Sequence, residues 1–340
     1  MIVVVHSDLK RAYCGLHIDE NIWEQSSSGG AYSAICKAVA DEKKKTIFIG
    51  ASYDKTNKVV HSYVKNFEEI NAFRKSKYVQ SDFDGILKLV KEFLIDGNYV
   101  VFSGTPCQIA SLNNYLYMEN IEATNCFTID IVCHGVGSPL VFKRYLEWLE
   151  CKYKSRVKKY SFRNRMVRFR KLFIYIPSIT LENGKVIKIE NDTYANLFLQ
   201  KLICRPSCST CKFSNMNRVS DITIGDFKRQ YEIAPLATGI KNRSLIIPNS
   251  DKGKEIVAKL SNDMELFEAD ILKCVQANPP LDRQTIGSTH RSEFFNDLTI
   301  KNYSYQQLQK KYFSKKSVLL SIWLILPYRS QATIKRVLKK

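Results

Sequence analysis

The 340-residue chain is 45% apolar and 25% charged, a composition that fits a soluble globular protein and excludes a disordered, collagen-like or transmembrane chain. Its formal charge of +19 is uneven: residues 152–171 hold ten Lys or Arg, residues 310–340 hold nine, neither segment holds an acid, and together they account for the whole excess. A neutral body with two basic patches is not a uniformly basic nucleic-acid coat, and either patch suits an anionic partner: a cofactor phosphate, an acidic protein, lipid headgroups or nucleic acid.

The N-terminus, MIVVVHSDLKRAYC, has no basic start and only a short apolar run, so it does not read as a signal peptide. The expectation is a cytoplasmic setting, in which clustered cysteines serve metal or redox chemistry and scattered ones pack as small hydrophobes. Residues 26–40 open with small residues and continue as an apolar helix. TIFIGASY (46–53) and KVVHSYV (58–64) read as a strand pair. Residues 84–95 are apolar at helical spacing. NYVVFSG (98–104) is a buried strand that runs into a helix over 105–116, with Thr105 as N-cap and Pro106 at the first helical position. CFTIDIVC (126–133) is a second such strand, and the helix 140–150 follows a turn with Ser138 and Pro139 at its start. Residues 157–190 read as a hairpin turning at Asn183-Gly184, residues 192–202 as a helix, and residues 221–227 and 243–250 as strands. Residues 276–303 are polar and weakly patterned. The strand–helix–strand–helix order predicts an α/β fold with α+β elements: an open, largely parallel sheet with helices on both faces, an antiparallel hairpin region and a cysteine-bearing loop.

Four cysteines, in three segments, stand out among ten. Cys107 lies where a strand gives way to a helix, where the helix dipole and free N–H groups favour thiolate. Cys133 lies at the carboxyl end of the next strand, the edge at which open α/β sheets bind ligands. Cys208 and Cys211 form a CxxC in a loop. Four thiolates suffice for a [4Fe–4S] cluster or a four-cysteine zinc site. By spacing alone Cys204 is an equal partner for Cys208. Cys14, Cys36, Cys126, Cys151 and Cys274 stand alone or within apolar patterns and read as structural.

Taken in order, SSSGG (26–30), RKSKYVQSD (74–82), VVFSGTPCQIASL (100–112), DIVCHGVGSP (130–139), FRNR (162–165), CRPSCSTCKF (204–213) and RVSDITIGDF (218–227) make the chain resemble the coenzyme F420 hydrogenase/dehydrogenase beta-subunit family. It looks most like the bacterial branch found with polysaccharide pyruvyl transferases in surface-polysaccharide gene clusters. The resemblance covers about residues 20–275 and implies a flavin-dependent oxidoreductase with FAD beside a [4Fe–4S] cluster. On the family pattern the cluster ligands are Cys107, Cys133, Cys208 and Cys211, with Cys204 outside the set. Residues 1–98 then form an N-terminal segment contacting the flavin phosphates, residues 99–275 a catalytic segment with the cluster cysteines, and residues 276–340 an extension with a basic, apolar tail.

The remaining site residues follow from that resemblance. Ser26, Ser27, Ser28, Gly29 and Gly30 precede a helix, and their N–H groups are placed to cradle a pyrophosphate. Lys77, Tyr78 and Ser81 match a family segment expected to contact FAD. Arg163 and Arg165 supply cations for an anionic reduced flavin. Asp226 is expected to orient a flavin hydroxyl or cap a loop. His134 is expected to donate a hydrogen bond to cluster sulfide or a proton to the flavin. Many relatives carry an N-terminal ferredoxin-like segment with two cysteine quartets that is not found here. Two motifs also differ: FRNR stands where FRDK with a nearby Gly-Trp is usual, and Lys228-Arg229 follows GDF where Trp-Gly is usual. Both changes touch the flavin or acceptor face.

The expected partners are a ferredoxin-like or other reductant and a small-molecule or glycan-precursor acceptor. Tyr160, Phe162 and Phe169 interleave with arginines as in base-stacking proteins, but no nucleic-acid motif accompanies them, so nucleic acid is not expected. The apolar run 317–326 is about half the length of a membrane span. With its basic flanks it fits peripheral contact of residues 310–340 with an anionic inner membrane surface, where each Lys or Arg contributes about 1 kcal/mol. The alternative reading is a non-catalytic binding protein, stabilised by a metal on the same four cysteines, that uses its basic face for an acidic protein or nucleic acid.

Overall fold

A computed structural model describes residues 11–43, 45–168, 172–237, 239 and 241–313. The strands are β1 (Ala12–His17), β2 (Thr46–Tyr53), β3 (Val59–Val64), β4 (Tyr99–Gly104), β5 (Cys126–Ile131), β6 (Val157–Arg168), β7 (Leu172–Leu181), β8 (Val186–Lys188), β9 (Ile222–Asp226), β10 (Ser244–Pro248) and β11 (Met264–Ala269). The helices are α1 (Glu20–Glu24), α2 (Ala31–Glu42), α3 (Ile86–Ile95), α4 (Pro106–Met118), α5 (Pro139–Tyr153), α6 (Thr193–Leu199), α7 (Gln230–Ile233), α8 (Asp251–Lys259), α9 (Ile271–Ala277), α10 (Arg291–Thr299) and α11 (Tyr305–Tyr312).

Eight strands form one sheet in the order β11-β1-β10-β9-β5-β4-β2-β3. Its centre, β9-β5-β4-β2, is parallel, as expected for strands whose residues are apolar on both faces. Antiparallel strands flank the centre on either side. Alternation along the strands divides the core. Val100 and Phe102 pack with Ile109 and Leu112 of α4 and Val90 of α3. Val101, Phe127 and Ile129 pack with Ile35 and Val39 of α2 and Ile256 of α8. Helices therefore cover both faces, and the α/β reading holds. The sheet takes strands from within residues 1–98 and from within 99–275 alike.

A second, antiparallel sheet has the order β6-β7-β8. The expected hairpin is thus three-stranded. The Asn183-Gly184 turn joins β7 to β8, and β6 pairs on the other side of β7. The β6–β7 register shifts between Ser161 and Asn164, a bulge that falls on Phe162 and Arg163. This sheet packs on α5, α6, α10 and α11 around a buried carboxylate: Asp192 accepts from Tyr145 Oη at 2.7 Å, Tyr160 Oη at 2.6 Å and Ala195 N–H at 2.6 Å. Tyr160 and Phe162 belong to this core, so their rings are not available for stacking bases. Phe169 and the tail from residue 314 lie outside the described residues.

The polar stretch 276–303 contains α10, whose buried Asp297 accepts from Lys301, Lys311 and Tyr312 and so fastens α10 to α11. Strands β1 and β11 and helices α8, α9 and α11 were not expected from the sequence. Of the cysteines read as structural, Cys14, Cys36, Cys126 and Cys274 are buried, whereas Cys151 is exposed. Among the described residues, no helix is long and apolar enough to cross a membrane.

Candidate functional site

Because β4, β5 and β9 are parallel, their carboxyl ends share one edge, the edge at which such sheets bind ligands. Beyond β4, Pro106 opens α4 and places Cys107 in its first turn. Cys133 follows β5 by two residues, and Cys208 closes a short 3-10 turn, Pro206–Cys208. Backbone hydrogen bonds join the Cys133 and Cys208 segments to each other and the Cys133 segment to residues 74–82. Arg205 N–H donates to Val136 O, Ser138 N–H to Ile203 O and Gln80 N–H to Gly137 O. Gly137 has no room for a side chain: a Cβ there would lie 2.4 Å from Tyr194 Oη and 2.7 Å from Tyr78 O. Gly135, at φ +103°, would place a Cβ 3.4 Å from Cys204 Sγ and 3.7 Å from Cys208 Sγ.

The four ligand candidates share one neighbourhood. Burial pushes the Cys133 thiol up to about 12, with Cys107, Cys208 and Cys211 adding to the rise and a Gly135 N–H at 3.4 Å opposing it. Burial raises Cys208 as well, with Cys107 and Cys211 again contributing. Cys204 is buried beside Cys208. As placed, no three His, Cys, Asp or Glu side chains among the described residues are close enough to hold a single metal ion. The donor set nevertheless fits a cluster, in which each thiolate binds a different iron and the ligands stand around a wider group than one ion.

The cysteine loop is also held from behind. Arg218 Nη2 stands 2.9 Å from Asp130 Oδ2 in a fully buried pair. The same guanidinium donates to Phe213 O, Ile131 O and Thr223 Oγ1, tying the exit of the CxxC loop to β5. Sequence reasoning missed both residues. The available signal was an acid within an otherwise apolar strand, CFTIDI.

On the same edge, at the end of β9 and the start of β10, an open cleft is lined by Ser28, Arg163, Tyr175, Asp226, Phe227, Lys228, Asn242 and Arg243. Arg163 Nη1 bonds both Asp226 oxygens at 3.1 and 3.0 Å, and its guanidinium carbon lies 3.9 Å from the centre of the Tyr175 ring. Burial opposes the charge on Arg163, but Tyr78, Asp226 and Tyr175 outweigh it and hold the guanidinium above its ordinary range. Burial lowers Lys228, with Arg163 adding to the fall. Arg165 donates to Trp23 O and Ser28 O and lies 3.9 Å from the centre of the Trp23 ring. Its Nε is buried with no hydrogen-bond partner among the described residues. Of the three cations lining this cleft, Arg163 is paired with Asp226 and Arg243 with Glu265 at 2.9 Å, so among the described residues Lys228 is left as the excess positive charge toward an anionic group.

The other expected flavin contacts are placed as follows. Ser28 reaches the cleft, with its hydroxyl on Arg243 O at 2.6 Å. Ser26 donates to Ile22 O, Ser27 accepts from Ser76 N–H, and Gly29 N–H donates to Ser244 Oγ. Gly30 caps α2 at φ +92° against His17. These groups thus face β1, β10 and the 74–82 segment. Lys77 turns its ammonium back onto the carbonyls of Phe73, Arg74 and Lys75, and burial pulls it down to about 7, with Lys159 adding to the fall. Tyr78 packs on Phe162 and Phe198, and Arg163 and Asp226 both act on its phenol. Ser81 is bonded to His61 and Gln108. Burial pulls the His134 imidazole down to about 4, with Lys228 and Lys201 adding to the fall and Asp226 opposing it. His134 therefore lies within reach of both the cleft and the cysteine loops, with a neutral ring at neutral pH. Sequence reasoning missed Tyr175, Asn242 and Arg243, which carry no motif.

The structure is thus an open α/β sheet with cysteine-bearing loops and a cationic cleft on one edge. The family described as the C terminus of the coenzyme F420 hydrogenase/dehydrogenase beta subunit matches residues 97–272, more than half of the chain, and the chain belongs to that family. Its fold is similar to a chain of the F420-reducing [NiFe] hydrogenase complex from Methanosarcina barkeri, studied by xenon derivatization. The TM-score is 0.54 at 17% identity, over 86% of this chain and 94% of that one, a likeness of fold. No curated protein matches the chain.

Proposed function

We propose that the chain is an iron–sulfur flavoprotein oxidoreductase, with a [4Fe–4S] cluster on Cys107, Cys133, Cys208 and Cys211 and FAD in the neighbouring cationic cleft. The observation that carries this reading is the convergence of four thiols, carried by the start of α4, the loop after β5 and the CxxC loop, on the sheet edge that also holds that cleft. Family membership and the hydrogenase context of the similar fold support a redox role. When bound, the cluster supplies single electrons and the flavin pairs them into a two-electron step.

The chain's own residues set the conditions for that chemistry. Asp226 and the Tyr175 ring hold the Arg163 guanidinium against the cleft, a fixed positive charge for an anionic ring. Asp226 is thereby a holder of Arg163, and Tyr78 and Ser28 are further candidates for contact with the flavin. Neutral His134, next to Cys133 and under the influence of Lys228 and Asp226, is a candidate to give or take a hydrogen bond. Arg165 fixes the β6 strand to the Ser28 loop.

The donor in this reading is a separate ferredoxin-like protein, and the acceptor a small molecule or glycan precursor. A place in surface-polysaccharide assembly, in the cytoplasm and with residues 310–340 on the inner membrane surface, follows from the sequence resemblance and from the tail's composition. The decisive test is the visible absorbance of anaerobically purified protein, with metal and flavin analysis. Broad brown absorption, about four irons per chain and stoichiometric flavin are expected. Stoichiometric zinc without flavin would establish the metal-stabilised binding protein instead. Cys208→Ser should lose cluster iron, and unchanged iron would contradict its assignment.

A further inference from the structure

A chain of polar side chains runs from the Cys107 sulfur into the core, away from the cleft. Thr105 Oγ1 stands 3.1 Å from Cys107 Sγ and 3.1 Å from Gln108 Oε1. Gln108 Oε1 also accepts Thr105 N–H at 2.9 Å, and Gln108 Nε2 donates to Ser81 Oγ at 2.9 Å. Ser81 Oγ meets His61 Nδ1 at 2.9 Å, and His61 Nε2 lies 3.2 Å from Ser103 O. The four side chains come from β3, the 74–82 segment, the end of β4 and the first turn of α4.

The direction of each bond follows from its far end. A carbonyl only accepts, so His61 Nε2 carries the ring hydrogen and Nδ1 is the acceptor. Ser81 then donates to His61 and accepts from Gln108. This fixes the Gln108 amide with its nitrogen toward Ser81 and its oxygen toward Thr105. The His61 ring is stacked on Phe102 and meets Phe83 edge-on. Burial holds it at about 4, so it stays neutral and the directions persist at neutral pH.

The near end has a choice. Thr105 has one hydroxyl hydrogen and two acceptors at equal distance. A neutral Cys107 thiol can donate to Thr105, whose hydroxyl then serves Gln108. A metal-bound thiolate cannot donate, and the hydroxyl turns to the sulfur, where a charge-assisted bond is the stronger one.

We propose that Thr105 donates its hydroxyl hydrogen to the Cys107 sulfur when that sulfur ligates the cluster, and thereby makes the cluster easier to reduce. Gln108, Ser81 and His61 are positioning residues that hold Thr105 in place. Hydrogen bonds to cluster sulfurs are a general lever on reduction potential. The inference rests on the proposed cluster and gives Ser81 a role toward it in place of a flavin contact.

The test is a redox titration of the anaerobically purified full-length protein, followed by electron paramagnetic resonance. Thr105→Val removes the hydroxyl at nearly constant volume. Its midpoint should move to more negative potential, by roughly a tenfold change in the oxidised-to-reduced ratio at fixed potential. Thr105→Ser should restore the wild-type midpoint, and Ser81→Ala should move it part of the way. An unchanged midpoint in a Thr105→Val protein that keeps its iron overturns the inference and leaves the proposed function standing. A wild-type chain without cluster iron overturns both. If Thr105→Val fails to fold or to keep iron, Ser81→Ala and Gln108→Leu decide, and wild-type midpoints in both overturn the inference.

Discussion

Gly29 has no space for even a methyl group. A Cβ there would lie 2.2 Å from Gly15 O and 2.4 Å from Ser244 N, so Gly29→Ala must force the Ser28 loop away from β1 and β10. The expected loss is about 3 kcal/mol, read as a lowered Tm in a thermal melt; an unchanged Tm would contradict the packing. Lys77 predicts a pH dependence. Its ammonium is held at about 7 against an ordinary value of 10.5. Between those values the unfolded chain binds more protons, so folding stability rises with pH. Denaturant melts at pH 6.5 and pH 9 should show the wild type gaining on the order of 1–2 kcal/mol and Lys77→Met gaining less; parallel behaviour of the two proteins would remove Lys77 as the cause. At this scale the sequence revealed types and not partners. The small residues of SSSGG are legible as a tight loop before a helix. That Gly29 and Ser28 lean on Arg243 and Ser244 is not, because those partners are about 215 residues away.

Individual elements were legible where a local signal existed. Thr105-Pro106 and Ser138-Pro139 marked the starts of α4 and α5, and Ser138 accepts from Val141 N–H as an N-cap should. Apolar runs marked β4 and β5 because both faces of each strand are covered. Ordinary alternation puts Tyr160 and Phe162 in the core and Arg163 on the cleft side, whereas the register shift between Ser161 and Asn164 had no local signature. The edge strand β11 and its neighbour β1 pair only with distant segments, and their mixed patterns do not announce them. The Arg218–Asp130 pair shows what such long-range contacts hold. Arg218→Met leaves a buried carboxylate unpaired and should cost about 3–5 kcal/mol, measured by denaturant unfolding. Adding Asp130→Leu should recover part of that loss. A single variant as stable as the wild type would show that the loop does not depend on the pair.

Across the whole molecule, the excess charge resolves into distinct surfaces. Lys152, Lys154, Arg156, Lys158 and Lys159 are exposed around the start of β6, whereas further along the same strand Arg163 lines the cleft and Arg165 packs on Trp23 and the Ser28 loop. The basic segment therefore points two ways, to solvent and to the inner side of β6, which its composition alone does not separate. A chain truncated after Lys316 should no longer sediment with anionic liposomes while the full chain does; equal sedimentation would remove the tail from membrane contact. The strand order carries one more consequence, for synthesis on the ribosome. β1 lies between β10 and β11, so the first strand waits for residues 244–269 before it has a neighbour on either side. The Ser28 loop rests on the same late strand. The Ser28 end of the cleft thus takes shape only once β10 is in place, and β1 is enclosed only once β11 has followed, so both wait for pairing between segments far apart in the sequence.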